Sequence, residues 1–290
     1  MGKTRRGWYE REEITKVTKD WIATNVRLTQ REQNLLPLIY DRKLVRRDHL
    51  EIISEDYRNL GDSRTKILNR SISKLFRTVV LDKVHEAQMI GSGNHPCTVA
   101  IDKGGSLILN VVHKPRILHK KEYYKGELFI KRSLPVNYKH INGVNRMEVD
   151  AIEFCKNTGN HILKWKLEES KTFKFNGEKI TLITDVFLEM LINGKLFLAY
   201  LEYDTGSENA RYKDNFPTLD NKLLNYRMYF RSKLWINKLE YFPMVLLITE
   251  DEKRVKYFTK ECKKKGLHGY GIYYNRFVSF LERLEALLDK

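Results

Sequence analysis

The sequence predicts a protein of mixed α+β and α/β class with two domains: a helical N-terminal domain, then an α/β domain with a central mixed sheet. Three observations support this prediction. The chain has 290 residues, which is long for a single domain. Short amphipathic helices fill its first third, and its last third alternates apolar strands with helices.

The first third of the chain is predicted to hold three short helices. Thr29 and Glu32 form a capping box at the start of the first helix, which carries leucines at helical spacing. The second helix is expected at residues 48–54. The third is expected at residues 63–77, after a Gly-Asp turn, and it has a strongly basic face.

Two strands are predicted after the third helix, at residues 78–84 and 98–102, on either side of a glycine-bearing loop at residues 91–94. Helices and hairpin together predict a winged helix-turn-helix over residues 28–112. In that fold the third helix enters the major groove of duplex DNA. Its predicted DNA contacts are Arg64, Lys66, Arg70 and Lys74. The alternative is a helical interaction module whose basic face is only solvated.

Three acidic residues surround a predicted β-hairpin, and they are the most informative feature of the sequence. Apolar runs within residues 186–201 flank Asn193-Gly194, a dipeptide that favours a two-residue type I′ turn. Asp185 is expected to begin the first strand and Glu202 to end the second, so their carboxylates should converge. Because side chains alternate along a strand, Asp204 should share the face of Glu202.

Carboxylates gathered at a sheet edge suit Mg²⁺ or Mn²⁺, which prefer oxygen ligands. In a basic protein such a cluster suggests metal-assisted cleavage of a phosphodiester. The predicted metal ligands are therefore Asp185, Glu202 and Asp204, and Glu169 is a further candidate. The alternative is a solvated strand end whose acids balance nearby lysines.

A helix is predicted after the acids, beginning near Thr218 with apolar residues at helical spacing. Lys222 and Tyr226 are four residues apart, so they share one face of this helix. Lys222 is a candidate for holding the phosphate or orienting the nucleophile. Tyr226 is a candidate nucleophile if the cut strand must be rejoined, and otherwise a packing residue.

Apolar periodicity predicts the remaining elements. Helices are expected at residues 140–157, 251–264 and 276–290, with a charged helix or connector at residues 117–129. Strands are expected at residues 104–112, 162–167, 172–175, 244–249 and 269–274. The last strand, helix and strand would close a sheet like that of restriction endonucleases. The predicted boundaries are residues 1–27 for a basic segment, 113–135 for a connector and 136–290 for the second domain.

The charge balance points to a polyanionic partner. The chain has 53 Lys and Arg against 37 Asp and Glu, a formal net charge of +16 and a pI near 9.6. Double-stranded DNA is the expected partner. No apolar run approaches the ~20 residues that cross a bilayer, and no signal peptide is recognisable, so a cytoplasmic protein without membrane contact is expected. The three cysteines lack zinc-binding spacing.

The order of the acidic motifs resembles the replication-relaxation family of Firmicutes. Its members include MOBC-type relaxases and plasmid replication proteins with a PD-(D/E)XK-type nuclease core. The resemblance rests on Asp185 before a strand, the segment at residues 202–206, and Lys222 with Tyr226 on a helix. Asp204 stands where the family's Glu-x-Lys pattern has its lysine, so Lys222 is the candidate replacement.

Further upstream, His140-x-Asn142-x-x-Asn145 and Trp165 followed by Glu168/Glu169 also fit the family's pattern. Thr184 stands where the pattern usually has a proline. The resemblance covers most of residues 28–275.

The resemblance implies a sequence-specific DNA-binding protein that nicks one strand at the origin of a plasmid or mobile element, with Mg²⁺ or Mn²⁺ as cofactor. A homodimer and contacts with replication or conjugation machinery are further expected partners. Two alternatives stay open. One is a replication initiator in which cleavage is optional, and the other is a transcriptional or copy-number regulator with an inactive nuclease-like domain.

Overall fold

The structure is a computed structural model, which describes residues 16–85, 96–124, 127–206 and 218–289. The chain separates into two compact units, which divide between Asn145 and Arg146. It is a mixed α/β protein, as the sequence predicts, and a mixed five-stranded sheet lies in the second unit. None of the helices in the described ranges is long and apolar enough to cross a membrane.

Short helices dominate the first unit. They are α1 (Lys19–Asn25), α2 (Gln30–Arg42), α3 (Arg47–Ile53), α4 (Glu55–Arg58), α5 (Arg64–Arg77) and α6 (Lys103–Ile108). The strands are β1 (Val45–Arg46), β2 (Leu81–Val84), β3 (Thr98–Ile101), β4 (Leu118–Tyr124) and β5 (Glu127–Ser133). Strands β1, β3 and β2 form an antiparallel sheet in that order, and β4 pairs with β5. Helix α7 (Tyr138–Thr158) runs across the division between the units.

The predicted capping box at the start of α2 is confirmed. The Thr29 hydroxyl accepts from the backbone N–H of Glu32, and the Glu32 carboxylate accepts from the backbone N–H of Thr29. Leucines of α2, α3 and α5, among them Leu36, Leu50 and Leu68, are fully buried in one apolar core. Burial of these three faces against one another positions the basic face of α5 on the outside.

The first strand after α5 is shorter than predicted. Helix α5 continues to Arg77, and Val79 has a positive φ of 57°, so pairing starts only at Leu81. The second predicted strand is confirmed as Thr98–Ile101. The loop expected at residues 91–94 lies outside the described residues.

The strand predicted at residues 104–112 is wrong, since helix α6 begins there. The Asp102 side chain accepts from the N–H of Lys103 and so caps the helix. A Cβ on Gly104 or Gly105 would lie within 2.7 Å of a backbone carbonyl of the preceding segment. Close packing of this glycine pair against the backbone favours the helix. The sequence predicts a strand because a short apolar run fits a strand as well as a helix.

The charged helix or connector predicted at residues 117–129 is also wrong, because an antiparallel hairpin of β4 and β5 occupies this region. Its register runs from Leu118 opposite Ser133 to Tyr124 opposite Glu127. Tyr123 and Tyr124 in one arm, and Phe129 and Ile130 in the other, are residue types that favour strands even when charges interrupt them.

The second unit contains a long antiparallel meander followed by two parallel strands. Its strands are β6 (His161–Phe175), β7 (Glu178–Ile192), β8 (Lys195–Asp204), β9 (Met244–Thr249) and β10 (Gly269–Tyr273). Its helices are α8 (Leu219–Ser232), α9 (Glu252–Lys265) and α10 (Phe277–Leu288). The sheet order is β10-β9-β8-β7-β6, and β8, β9 and β10 run parallel.

The hairpin predicted around Asn193-Gly194 is confirmed, with positive φ angles of 50° and 73° at the two turn residues. Two boundaries upstream are wrong. Strand β6 is continuous where two strands were predicted, and β7 begins at Glu178, so Asp185 lies in the middle of its strand. The cause is a second turn of the same kind, Asn176-Gly177, which joins β6 to β7 with φ angles of 50° and 85°.

Helices α8 and α9 pack together on one face of the sheet. Leu219 and Leu223 of α8 share an apolar core with Phe258 of α9 and with Tyr200 of β8. This packing fixes the first turn of α8 above β7 and β8, where the candidate site lies.

Candidate functional site

The candidate site lies where β7 and β8 part. Their pairing ends at Val186 opposite Leu201, and Asp185 and Glu202 are the next residues of the two strands. Each side chain reaches the other strand's backbone. The N–H of Tyr203 donates to Asp185 Oδ2 at 2.8 Å, and the N–H of Asp185 donates to Glu202 Oε2 at 3.3 Å. The expected convergence of these two carboxylates is therefore present.

Lys222 lies in the first two turns of α8, above the two acids. Its Nζ is 2.5 Å from Glu202 Oε2 and 3.9 Å from Asp185 Oδ1. The helix begins at Leu219 because the Thr218 hydroxyl caps it by accepting from the N–H of Asn221. Its first turn therefore lies beside the acids. The sequence thus brings one ammonium and two carboxylates together from three elements.

Tyr226 is one turn beyond Lys222 and fully buried. Its hydroxyl donates a hydrogen bond to Glu202 Oε1. Its ring lies 5.4 Å from that of Tyr200, at a tilt of 36°. Tyr226 therefore contacts the acid directly, as well as packing in the core.

Burial dominates the electrostatics of this group. Glu202 is 2% exposed, and desolvation raises its pKa to about 8. The Lys222 ammonium lowers this pKa, whereas the neighbouring Asp185 carboxylate raises it. Desolvation also raises the pKa of Tyr226 well above its usual value, and the neighbouring Glu202 charge adds to that shift. Tyr226 is therefore a neutral hydrogen-bond donor at physiological pH.

Asp204 does not join this group. Arg254 of α9 binds it through two guanidinium nitrogens, with Nη2 3.0 Å from Oδ1, and Thr249 donates to it at 3.3 Å. Both Asp204 and Arg254 are buried. No local pattern in the sequence indicates this partner, because Arg254 lies fifty residues away on a helix with many other basic residues.

Glu169 is also held by basic residues of its own strand. Its carboxylate lies 2.9 Å from Lys171 Nζ and 3.2 Å from Lys166 Nζ. Burial raises the pKa of Glu169, but these two lysines outweigh it, so the pKa lies below its usual value. The preceding residue, Glu168, has a positive φ of 47°, which marks a local irregularity beside Asp185.

Of the predicted metal ligands, Asp185 and Glu202 are the two that converge in the described part of the chain. A Mg²⁺ or Mn²⁺ ion accepts one or two protein carboxylates and completes its shell with water and phosphate oxygens. Across the described ranges, no group of three or more His, Cys, Asp or Glu side chains is arranged to hold a metal ion. The donor set therefore fits an ion that is bound together with a phosphate.

The residues predicted to contact DNA lie along α5, in the other unit. Lys66 and Arg70 are exposed, and no ion pair engages them among the described residues. Arg64 lies 3.6 Å from Glu51, and Lys74 lies 2.6 Å from Glu32 of the capping box. Of the four, Lys66 and Arg70 are therefore the ones whose charge is directed to solvent.

Fold and site together define a mixed α/β protein with a basic helical N-terminal unit and a buried acid–lysine centre on a five-stranded sheet. The sequence profile of the replication-relaxation family matches residues 49–245, about two thirds of the chain. The chain belongs to the replication-relaxation family. The comparisons with curated proteins and with solved structures gave no match.

Proposed function

We propose that the protein binds duplex DNA at an origin-like site through a winged helix and nicks one strand with a restriction-endonuclease-like, PD-(D/E)XK-type domain. One observation carries this proposal: Asp185, Glu202 and Lys222 meet at the point where two strands of the sheet part. Two carboxylates that can hold a metal ion, with a lysine beside them, suit phosphodiester cleavage. Membership of the replication-relaxation family supports an origin of a plasmid or mobile element as the place of action.

Asp185 and Glu202 would hold the Mg²⁺ or Mn²⁺ ion. A bound ion of this kind supplies Lewis-acid stabilisation of the phosphate and lowers the pKa of water. The Lys222 ammonium is a compact charge on a flexible stem, so it can turn from Glu202 to a phosphate that enters the site. It would then hold a phosphate oxygen next to the two acids.

Water is the nucleophile in this proposal. The Tyr226 hydroxyl is fully buried and already donates to Glu202 Oε1, so it fixes the carboxylate's orientation. An attacking tyrosine must present its oxygen to the phosphate, preferably as a phenolate, and burial opposes that ionisation. Tyr226 is therefore a positioning residue.

The nicking test uses supercoiled origin DNA with Mg²⁺ and follows the appearance of relaxed circles. Asp185→Asn should reduce the nicking rate by about 100-fold or more, because loss of a metal ligand removes several kcal/mol of transition-state stabilisation. Glu178→Gln is the matched control, since Glu178 is an exposed acid on the same strand, outside the site. Equal nicking by Asp185→Asn and by wild type would rule out the assigned centre.

The DNA-binding test concerns the exposed face of α5. Lys66→Ala combined with Arg70→Ala should flatten the salt dependence of duplex binding by about one slope unit for each lost phosphate contact. Lys16→Ala with Lys19→Ala removes the same charge from the same unit and serves as the control. Identical salt slopes for the two double variants would show that α5 does not read DNA.

A second function has specific support. The position of the Glu-x-Lys lysine is occupied by Asp204, which Arg254 neutralises, and Lys222 already compensates Glu202. A regulator or replication initiator with an inactive nuclease-like domain would have no need of a metal. Specific duplex binding with no relaxed circles at any concentration of Mg²⁺ or Mn²⁺ would select this alternative.

A further inference from the structure

Two neighbouring cavities lie along the outer edge of the sheet, apart from the acid–lysine centre. Strand β10 is an edge strand, which pairs only with β9 within the described residues. A cavity of about 560 Å³ lies between β10 and α10, and one of about 770 Å³ lies between β10 and α9. Val255, Lys256 and Tyr270 line both cavities, so the two are adjacent. We call this combined feature the edge groove.

Glycines of β10 allow α9 to pack closely on the strand beside the edge groove. A Cβ on Gly271 would lie 2.4 Å from the carbonyl oxygen of Val255, and one on Gly269 would lie 2.7 Å from that of Val245. Helix α9 can therefore lie directly against the strand. Glycine inside a strand is typical of such close approaches.

The walls of the edge groove carry cations almost without acids. Lys256, Lys260 and Lys263 lie on the exposed side of α9, and the rise of about 1.5 Å per residue places the outer two about 10 Å apart along the axis. Arg276 and Arg283 line the other end. Against these five cations the lining contains one acid, Glu252.

These cations lack intramolecular compensation. Within the described part of the chain, none of the five has an ion pair, whereas Lys264 and Lys265 of the same helix are both bound to Glu261. Uncompensated like charges along a groove repel one another, and a polyanion that follows the groove relieves this repulsion.

An exposed ring accompanies the cations. Tyr270, which lines both cavities, is 46% exposed, and its ring centroid lies 6.5 Å from that of the half-buried Phe280. An aromatic ring beside a basic track is a combination by which proteins bind single strands, because every base has a face that can stack. An acidic peptide would satisfy the cations but would not need the exposed ring of Tyr270.

Base stacking selects between single and double strands. The bases of a duplex are already stacked on their neighbours, so only a single strand can present a base face to the exposed ring of Tyr270. From charge and stacking together, we propose that the edge groove binds single-stranded DNA. The proposal rests on DNA being the protein's substrate, and it goes beyond the nicking centre.

The test measures binding of a fluorescent oligothymidylate to the full-length protein by anisotropy, across a NaCl series, with EDTA present so that no cleavage occurs. Combined Lys256→Gln, Lys260→Gln and Lys263→Gln should flatten the salt slope by about 2, since each single-strand phosphate contact contributes about 0.7. The control is Lys174→Gln, Lys179→Gln and Lys238→Gln, which removes three exposed lysines from the same unit outside the groove. The control should keep the wild-type slope.

Tyr270→Leu tests stacking separately, because it removes the aromatic face while keeping an apolar side chain. It should weaken oligothymidylate binding about fivefold or more without changing the salt slope. Duplex origin DNA should bind all of these variants as it binds wild type. These binding readouts do not depend on cleavage, so a failure to nick origin DNA leaves them intact.

Three results would overturn the proposal. Equal losses in the groove variant and its lysine control would show a general charge effect. Equal losses for duplex and oligothymidylate would make the groove a duplex contact. Competition by polyglutamate, with the same dependence on the three lysines and none on Tyr270, would identify an acidic protein partner in place of DNA.

Discussion

Glu202 and Asp204 lie two residues apart on β8, and both are buried, but their basic partners differ in kind. Arg254 binds Asp204 through two nitrogens and is itself buried. Lys222 binds Glu202 through one ammonium and is 29% exposed. A guanidinium is a rigid, permanently charged fork, whereas an ammonium is a compact charge on a flexible stem.

The difference separates a structural ion pair from a group that can change its state. The ion pair of Asp204 and Arg254 links the start of α9 to the end of β8. Each group already has its counterion, so the pair does not need a metal ion or a phosphate. Glu202 has a pKa near physiological pH and a partner within reach of solvent, so its charge can respond to a phosphate or a metal ion. Both arrangements bury an acid, yet only the second is suited to chemistry.

The largest effect is expected from breaking the structural pair. Arg254→Met keeps an unbranched apolar stem but leaves the Asp204 carboxylate buried without its cation. The free energy of unfolding should fall by about 3–5 kcal/mol, as is typical when one partner of a buried ion pair is removed. Lys222→Met should cost less than half of that, because Glu202 can take up a proton instead. Urea denaturation measures both values.

A double variant sharpens this comparison. Arg254→Met combined with Asp204→Asn should recover part of the lost stability, since the unpaired charge is then gone. Equal destabilisation by Arg254→Met and Lys222→Met would remove the distinction between the two pairs, and Lys222 would then be structural as well.

A second effect is expected in the pH dependence of stability. The pKa of Glu202 is about 8 in the folded protein against an ordinary value of 4.5, so between these values the folded state holds a proton that the unfolded chain releases. The free energy of unfolding should therefore fall as the pH rises through this window, by at most about 1.4 kcal/mol per pH unit, and level off above it. Glu202→Gln cannot titrate and should lack this slope.

The measurement is the difference in unfolding free energy between wild type and Glu202→Gln at several pH values. Subtraction removes the contributions of all other titrating groups that the two proteins share. A constant difference from pH 4.5 to pH 8 would mean that Glu202 is ionised throughout, with Lys222 as a full counterion.

Local signals in the sequence explain which parts of the fold could be predicted. The capping box at Thr29 and the turn at Asn193-Gly194 depend on neighbouring residues only, and both predictions are confirmed. The turn at Asn176-Gly177 carries the same signal, but charged residues around it obscure the alternation of apolar and polar residues that predicts a strand. Helix α6 depends on a close approach of Gly104 and Gly105 to a distant backbone, which no local pattern reveals.

The candidate site shows the same contrast between local signals and long-range packing. Convergence of Asp185 and Glu202 could be predicted because a tight hairpin sets the register of its two strands. Lys222 and Tyr226 could be placed on one helix face, yet only tertiary packing decides that this face meets Glu202. The partner of Asp204 could not be predicted, since long-range pairing of charges depends on how α9 packs on the sheet.

The smallest of the three effects is expected from Tyr226→Phe, which removes one hydroxyl and keeps the ring. Glu202 Oε1 then loses its hydrogen-bond donor, at a cost of about 1–3 kcal/mol in the free energy of unfolding. Because this hydrogen bond lowers the pKa of Glu202, its loss should raise that pKa further. If nicking needs ionised Glu202, the acidic limb of its pH profile should move to higher pH, while cutting persists above it.

Tyr229→Phe is the matched control, because Tyr229 is another buried tyrosine of α8 whose ring packs near Phe173, away from Glu202. It should leave the pH profile of nicking in place. Denaturing electrophoresis with an end-labelled origin strand completes the test, and no labelled strand should remain attached to protein. The opposite result would be a labelled adduct that forms with wild type and is lost in Tyr226→Phe. Tyr226 would then be the nucleophile, and the hydroxyl that holds Glu202 in place would also attack the phosphate.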